Sequence, residues 1–223
     1  MRPVFKKPLA RIILNQSFGE DRACITTEGR VIPRTEATCP VGSKSLYTSM
    51  GMKAHNGLDL GLAYGRGENV YAIIEGVVTF IETERERGIG IDIVSVEKYT
   101  FADHVGGIEG VGGEHHIKHR YWHLLEPLVK VGDFVKAGQV IGRADNTGLS
   151  SGDHLHLEVK PVEKNMNNQW YNVFQENMYY GAVDPFIYFE PNSLSTSEAE
   201  DLLAKFRALA YDLSIRVKAF LSR

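Results

Sequence analysis

The sequence predicts a mainly β fold: an antiparallel, sandwich-like β-sheet domain with long loops and a C-terminal amphipathic helix. Three observations carry that expectation. Short runs rich in β-branched residues recur along most of the chain. Glycine, 22 residues of 223, separates those runs. Only the final segment changes to a spacing of three and four between apolar positions.

Taken in order, Arg11 to Phe18 reads as a first strand ending in a turn at Gly19. Residues 20–54 hold turn formers with little periodicity and read as an extended loop. Leu58 to Leu62, Asn69 to Ile73, Gly76 to Thr83 and Gly90 to Val96 are strand-like runs between glycine or charged turns. The glycine-rich residues 102–114 read as a long loop within a hairpin, a feature uncommon unless functional or disordered. Strands resume at His116 to Leu124, Phe134 to Val135, Val140 to Ala144 and His154 to Val159. Pro191-Asn192 marks a junction. Ser195-Thr196-Ser197-Glu198 then forms a capping-box pattern. After it Leu202, Phe206, Leu209, Leu213, Val217 and Phe220 share one helical face. The expected organisation is a β domain over 1–190 and a helix over 191–223. That helix is expected to pack on the domain or to self-associate.

Composition narrows the function. With 43% hydrophobic and 24% charged residues the chain can bury a real core. A net charge of -3 gives no general attraction to polyanions and argues against nucleic-acid binding. No run approaches the ~20 apolar residues of a membrane span. Lys6, Lys7 and Arg11 flank the apolar stretch Leu9 to Leu14, but no small-residue cleavage pattern follows, so it reads as strand rather than secretion signal. Action outside a cell would then imply release by lysis, carriage on a virion, or a trimmed sequence. Cys24 and Cys39 are equally compatible with free thiols and with a bridge, which would contribute about 3 kcal/mol.

Three stretches carry chemistry. In His154-Leu155-His156-Leu157-Glu158-Val159, strand alternation puts His154, His156 and Glu158 on one face and the apolar residues on the other. Alone, this pattern is more often two surface histidines. In His55-Asn56-Gly57-Leu58-Asp59 the outer residues share parity, with Gly57 allowing the backbone to bend. Histidine nitrogen and aspartate oxygen suit zinc, and three protein ligands leave a fourth position open, the arrangement of catalytic rather than structural sites. Spacing leaves open whether His154 or His156 would be the third ligand. In His119-Arg120-Tyr121-Trp122-His123-Leu124, parity groups His123 with Tyr121 and His119. His123 then reads either as a half-buried strand histidine or as an acid–base group.

In this order the three stretches resemble the lysostaphin/LytM-type zinc endopeptidases of the bacterial cell wall. That family's pattern is HxxxD, then a histidine in Y-x-H-L, then HxH. Gly132 to Gly142 resembles the family's hairpin before HxH, Thr147 to Asp153 the loop into it, and Val183-Asp184-Pro185 the closing segment. The resemblance implies a fold of the duplicated-hybrid-motif type. It also implies one Zn²⁺ per chain held by His55, Asp59 and His156, catalysis by His123 and His154, and a peptidoglycan stem or cross-bridge peptide as substrate. Action would be on the cell wall, a phage lysin being one such setting. The long loops 20–54 and 100–119 depart from the family pattern and bear on substrate choice, and a second metal at His115/His116 is a minor possibility. The alternatives are a non-catalytic wall-binding or regulatory relative, an amidase with similar ligands, and a biotinyl- or lipoyl-carrier domain. The carrier reading fails for want of a lysine at the Glu75-Gly76 tip.

Overall fold

A computed structural model describes residues 1–34, 36, 38–84, 88–101, 104–105, 108–109, 112–174 and 177–189. The expected C-terminal helix and the boundary near residue 190 lie outside the described residues. The elements in chain order are β1 (Leu14–Gln16), β2 (Ala23–Thr26), β3 (Val31–Pro33), β4 (Ser43–Ser45), the one-turn helix α1 (Leu46–Ser49), β5 (Leu58–Gly61) and β6 (Asn69–Tyr71). There follow β7 (Gly76–Glu84), β8 (Gly88–Val94), β9 (Tyr99–Phe101), β10 (His104–Val105), β11 (Ile108–Glu109), β12 (Gly113–Pro127) and β13 (Phe134–Val135). The last are β14 (Val140–Ala144), β15 (His154–Lys164), β16 (Trp170–Asn172) and a 3-10 turn, Phe186–Tyr188.

The main sheet runs β1-β5-β15-β12-β8-β7-β13, with β14 and β9 also pairing β12, β16 pairing β15, and β6 pairing β14. These pairings are antiparallel. The centre is β12 flanked by β15 and β8. Alternation assigns the two faces. Ile117, His119 and Tyr121 of β12, Leu155, Leu157 and Val159 of β15, Ile91 and Ile93 of β8, and Leu58 and Leu60 of β5 are all at most 1% exposed and build the core. Burying each large apolar side chain stabilises the fold by roughly 1.5–3 kcal/mol. The opposite face of the same strands carries His156, Glu158, Arg120 and Asp59, and this face becomes the floor of the site.

Several elements differ from the sequence expectation. The first strand is only Leu14–Gln16. The 20–54 segment is not irregular: β2 pairs with both β3 and β4, and Cys24 is bridged to Cys39. Strands of three and four residues are too short to show alternation in a sequence. The long loop is also shorter than expected. Its end, Gly113 to His115, pairs with β9, so β12 starts earlier and runs fifteen residues.

The core contains one buried polar relay. The Tyr121 hydroxyl accepts the Ile73 N–H at 2.8 Å and donates to Nδ1 of His119 at 2.8 Å. Burial lowers the His119 pKa to about 3, so this imidazole is neutral. Tyr121→Phe should leave both partners buried without a bond and cost about 1–3 kcal/mol. A lower urea midpoint with an unchanged m-value and an unchanged β-type circular dichroism spectrum is the expected result.

Candidate active site

Register brings the distant ligand candidates together. His156 of β15 lies opposite Asp59 of β5 on one side and Trp122 of β12 on the other. His55 comes just before β5 and is fixed by its own backbone. Its N–H donates to the Glu20 carbonyl at 2.9 Å, and its carbonyl accepts from Gly19 N–H at 2.8 Å. Three side-chain atoms then meet. His55 Nε2 is 3.0 Å from His156 Nδ1 and 3.1 Å from Asp59 Oδ1, and His156 Nδ1 is 2.9 Å from Asp59 Oδ1.

The outer nitrogens decide what those atoms are. His55 Nδ1 lies 3.0 Å from the Ser17 carbonyl, which can only accept, so Nδ1 carries the hydrogen and Nε2 is bare. His156 Nε2 lies 3.3 Å from Glu158 Oε1 and donates to it, so in the neutral ring Nδ1 is bare. Two imidazole lone pairs and a carboxylate oxygen therefore converge, all acceptors. Such a cluster repels itself unless a cation or a proton enters. Atoms bound tetrahedrally to one zinc at ~2.0–2.2 Å lie roughly 3.3 Å apart, close to the triangle seen here. The donor set and its spacing fit a divalent metal, and among the described residues it is the one such group. Without metal, a proton relieves the repulsion. Burial works against protonating His156, but bonds to Asp59 and Glu158 and their charges push its pKa up to about 9. Burial likewise works to raise the Asp59 carboxyl, yet the neighbouring His55 and His154 hold it well below the usual carboxylate range.

Two further histidines border this centre. His154 shares the β15 face with His156. Its Nδ1–H donates to the Gly152 carbonyl at 2.8 Å, and its Nε2 lies 3.4 Å from Asp59 Oδ1. Burial alone would lower its pKa, but the Asp59 charge and hydrogen bond raise it. His123 reaches the same place by an irregularity. The register of β12 against β8 shifts between Tyr121 and Leu124, and His123 sits at φ 65°. That backbone costs a histidine about 1–3 kcal/mol. The bulge re-aims the side chain, so the parity expectation fails: Tyr121 and His119 point into the core, while His123 lines the cleft with Trp122. His123 Nδ1–H donates to the Thr147 carbonyl at 2.6 Å, and its ring centroid is 4.6 Å from that of His154. Burial, then the nearby His154 and His156, lower its pKa to about 3.

The five expected site residues thus lie together. The residues that orient them were not assigned roles by sequence: Ser17, Gly152 and Thr147 act through backbone carbonyls, which leave no side-chain signature. Glu158 had a signal, its place on the His154/His156 face. Its Oε2 accepts from Lys160 Nζ at 2.7 Å and from Arg120 Nη1 at 3.4 Å, and Arg120 Nε donates to Asp92 at 2.8 Å. Gly57 is needed for a reason other than bending. It has no positive φ, but a Cβ there would lie 2.5 Å from the Leu157 carbonyl and 2.9 Å from His156 Nε2. Among the described residues, His115 and His116 belong to no group that could hold a metal. His115 Nδ1 pairs with Glu163 at 3.1 Å and His116 Nδ1 with the Ser95 carbonyl at 3.0 Å. The cleft over the centre measures about 430 Å³. Opposite the strand floor it is walled by Val31, Ile32, Pro33, Leu46, Tyr47 and Met50 of the disulfide-bridged 20–54 segment.

The family model for "Peptidase family M23" matches residues 53–168, just over half of the chain and inclusive of all five site residues. The chain belongs to peptidase family M23. Lysostaphin of Staphylococcus simulans is 45% identical over 62 residues, 27% of this chain and 12% of that protein. The peptidoglycan DD-endopeptidase ShyC of Vibrio cholerae is 48% identical over 48 residues, 21% of this chain and 11% of that protein. The matches thus span about an eighth of these M23 relatives. In fold, the chain is similar to a chain of the SpoIIQ-SpoIIIAH pore forming complex, with a TM-score of 0.50, 18% identity, and coverage of 90% of this chain and 98% of that one.

Gly57→Ala in this M23 chain should displace the His156 ring or the strand beneath it. The expected outcome is a folded protein by circular dichroism whose metal content by elemental analysis falls well below one ion per chain. Full metal occupancy would contradict the close-approach role of Gly57.

Proposed function

We propose that this chain is a zinc-dependent endopeptidase that hydrolyses peptide bonds in peptidoglycan stem or cross-bridge peptides, acting on the wall outside the cytoplasm. The observation that carries the proposal is the convergence of three acceptor atoms, His55 Nε2, His156 Nδ1 and Asp59 Oδ1, at the floor of a cleft of about 430 Å³. Mixed nitrogen and oxygen donors at this count favour zinc and leave a position open. The names of the matched relatives, lysostaphin and a peptidoglycan DD-endopeptidase, point to the same substrate class.

Each residue has a role in this reading. His55, Asp59 and His156 would hold one Zn²⁺, which supplies Lewis acidity at the scissile carbonyl and makes water easier to deprotonate. His123 is kept neutral by burial, and with Nδ1–H committed to Thr147 its Nε2 is the nitrogen that accepts the proton of the attacking water. His154, anchored by Gly152, turns Nε2 towards the centre and in its protonated form donates to the oxygen on which negative charge develops. The walls formed by Val31, Ile32, Pro33, Leu46, Tyr47 and Met50 hold the peptide and exclude bulk water.

Digestion of purified sacculi by the zinc-loaded protein, followed by mass spectrometry, should release fragments cut within the peptides. A chelator should abolish the release, and intact sacculi after digestion by the metal-loaded protein would sink the proposal. His55→Ala and Asp59→Asn should lose metal and activity together. His123→Ala should retain the metal while turnover falls by about 100- to 10,000-fold. Metal affinity should also depend on pH. The metal displaces a proton from His156, whose metal-free pKa is pushed up to about 9. Affinity therefore levels off only above that value and falls as the pH drops to about 6. A chelator-competition titration across that range measures it.

A further inference from the structure

The cleft floor is graded in charge along the strand direction. Three rows of directly paired residues lie on the cleft-facing side of β12 and β15. In the first, Trp122 is opposite His156. In the second, Arg120 is opposite Glu158, with Asp92 of β8 at its other side. In the third, Lys118 is opposite Lys160. Like charges directly opposed across a pair of strands are destabilising. Here the cost is raised by burial, since Lys160 is only 3% exposed and Lys118 is half-buried.

Among the described residues the local carboxylates do not balance these cations. Lys118, Arg120 and Lys160 bring three positive charges, and Asp92 and Glu158 bring two negative ones, an excess of one positive charge. Glu158 is shared between Lys160, Arg120 and His156, and Asp92 accepts from Arg120 Nε. Among the described residues, donors are left over. An ammonium has three N–H bonds, and that of Lys160 spends one on Glu158. A guanidinium has five, and Arg120 directs Nε to Asp92 and Nη1 to Glu158. Arg120 and Lys160 both line the same cleft as His55, Asp59 and His156.

We infer that the Lys160 end of the cleft is a subsite for a carboxylate of the substrate peptide, with Lys160 and Arg120 as the donors and Lys118 adding charge. This deepens the peptidase reading and rests on it for the placement of the peptide. Lys160 is four residues along β15 from His156, about 13 Å at ~3.3 Å per residue. A carboxylate carried up to about four residues from the scissile bond can therefore reach it. The specificity that follows is for acid-bearing stem peptides. A neutral glycine bridge would lie over the excess positive charge without compensating it.

The test uses zinc-loaded full-length protein in the His123→Ala background, so that turnover does not interfere. Two cross-link peptides are each compared with a carboxamide twin by calorimetry, one bearing its carboxylate on a side chain and the other at its C-terminus. The carboxylate member of at least one pair should bind about tenfold tighter, as expected for a charge-assisted hydrogen bond in a partly buried site. The pair that discriminates identifies the source of the carboxylate. Lys160→Met, checked by elemental analysis for full zinc occupancy, should abolish the preference, and Lys160→Arg should keep it. Should Lys160→Met fail to fold, Lys118→Met should reduce the same preference. Equal binding within both pairs, or a preference that survives in folded Lys160→Met, overturns the inference. If the pairs discriminate but protein with His123 intact cleaves neither peptide, the peptidase reading fails and the carboxylate subsite stands.

Discussion

The site depends on a repulsion. With both rings neutral, two bare imidazole nitrogens and a carboxylate oxygen lie about 3 Å apart, an arrangement that only a cation or a proton relieves. It persists because each imidazole is gripped from outside. The Ser17 carbonyl fixes the tautomer and angle of His55, and the Glu158 carboxylate does the same for His156. These outer bonds turn three acceptors towards one point and so create an affinity for a cation. The same principle governs the two flanking histidines, whose outer nitrogens are held by the Thr147 and Gly152 carbonyls.

The scaffold supplies this precision through strand register. A slip of one residue between β15 and its neighbours would send His156 to the core and Leu157 to the cleft. The apolar face prevents that slip, because Leu155, Leu157 and Val159 are fully buried against β5 and β12. Core packing and the geometry of the acceptor triangle are thus one constraint expressed on two faces of the same strands. His123 is the exception. It reaches the cleft through a bulge and a left-handed backbone, strain that the surrounding sheet must offset.

Charge is distributed with equal consequence. Glu158 links the candidate metal site to a chain of buried ions through Lys160, Arg120 and Asp92. Buried networks of this kind rarely add much stability over apolar residues. Their value here is positional. They hold the carboxylate that orients His156, and they leave positive charge at one end of a cleft whose other end carries the acceptor triangle.

The sequence by itself determined the mainly β, antiparallel character of the fold, through recurrent short β-branched runs, and marked the five candidate residues that the structure brings together, through three short motifs. It also determined which face of β15 looks outward, because alternation is a property of the extended backbone alone. The tertiary structure decided the rest. Parity placed His123 with His119 and Tyr121, and only the bulge separates them, since a bulge depends on pairing with β8 and β14. The strands of residues 20–54, too short to show a period, became a cleft wall only through pairing and the Cys24–Cys39 bridge. The orienting carbonyls of Ser17, Thr147 and Gly152 carry no residue-type signal, because every residue has a carbonyl. Local pattern is written in the chain, whereas contacts between distant segments exist only once register and loops bring those segments together.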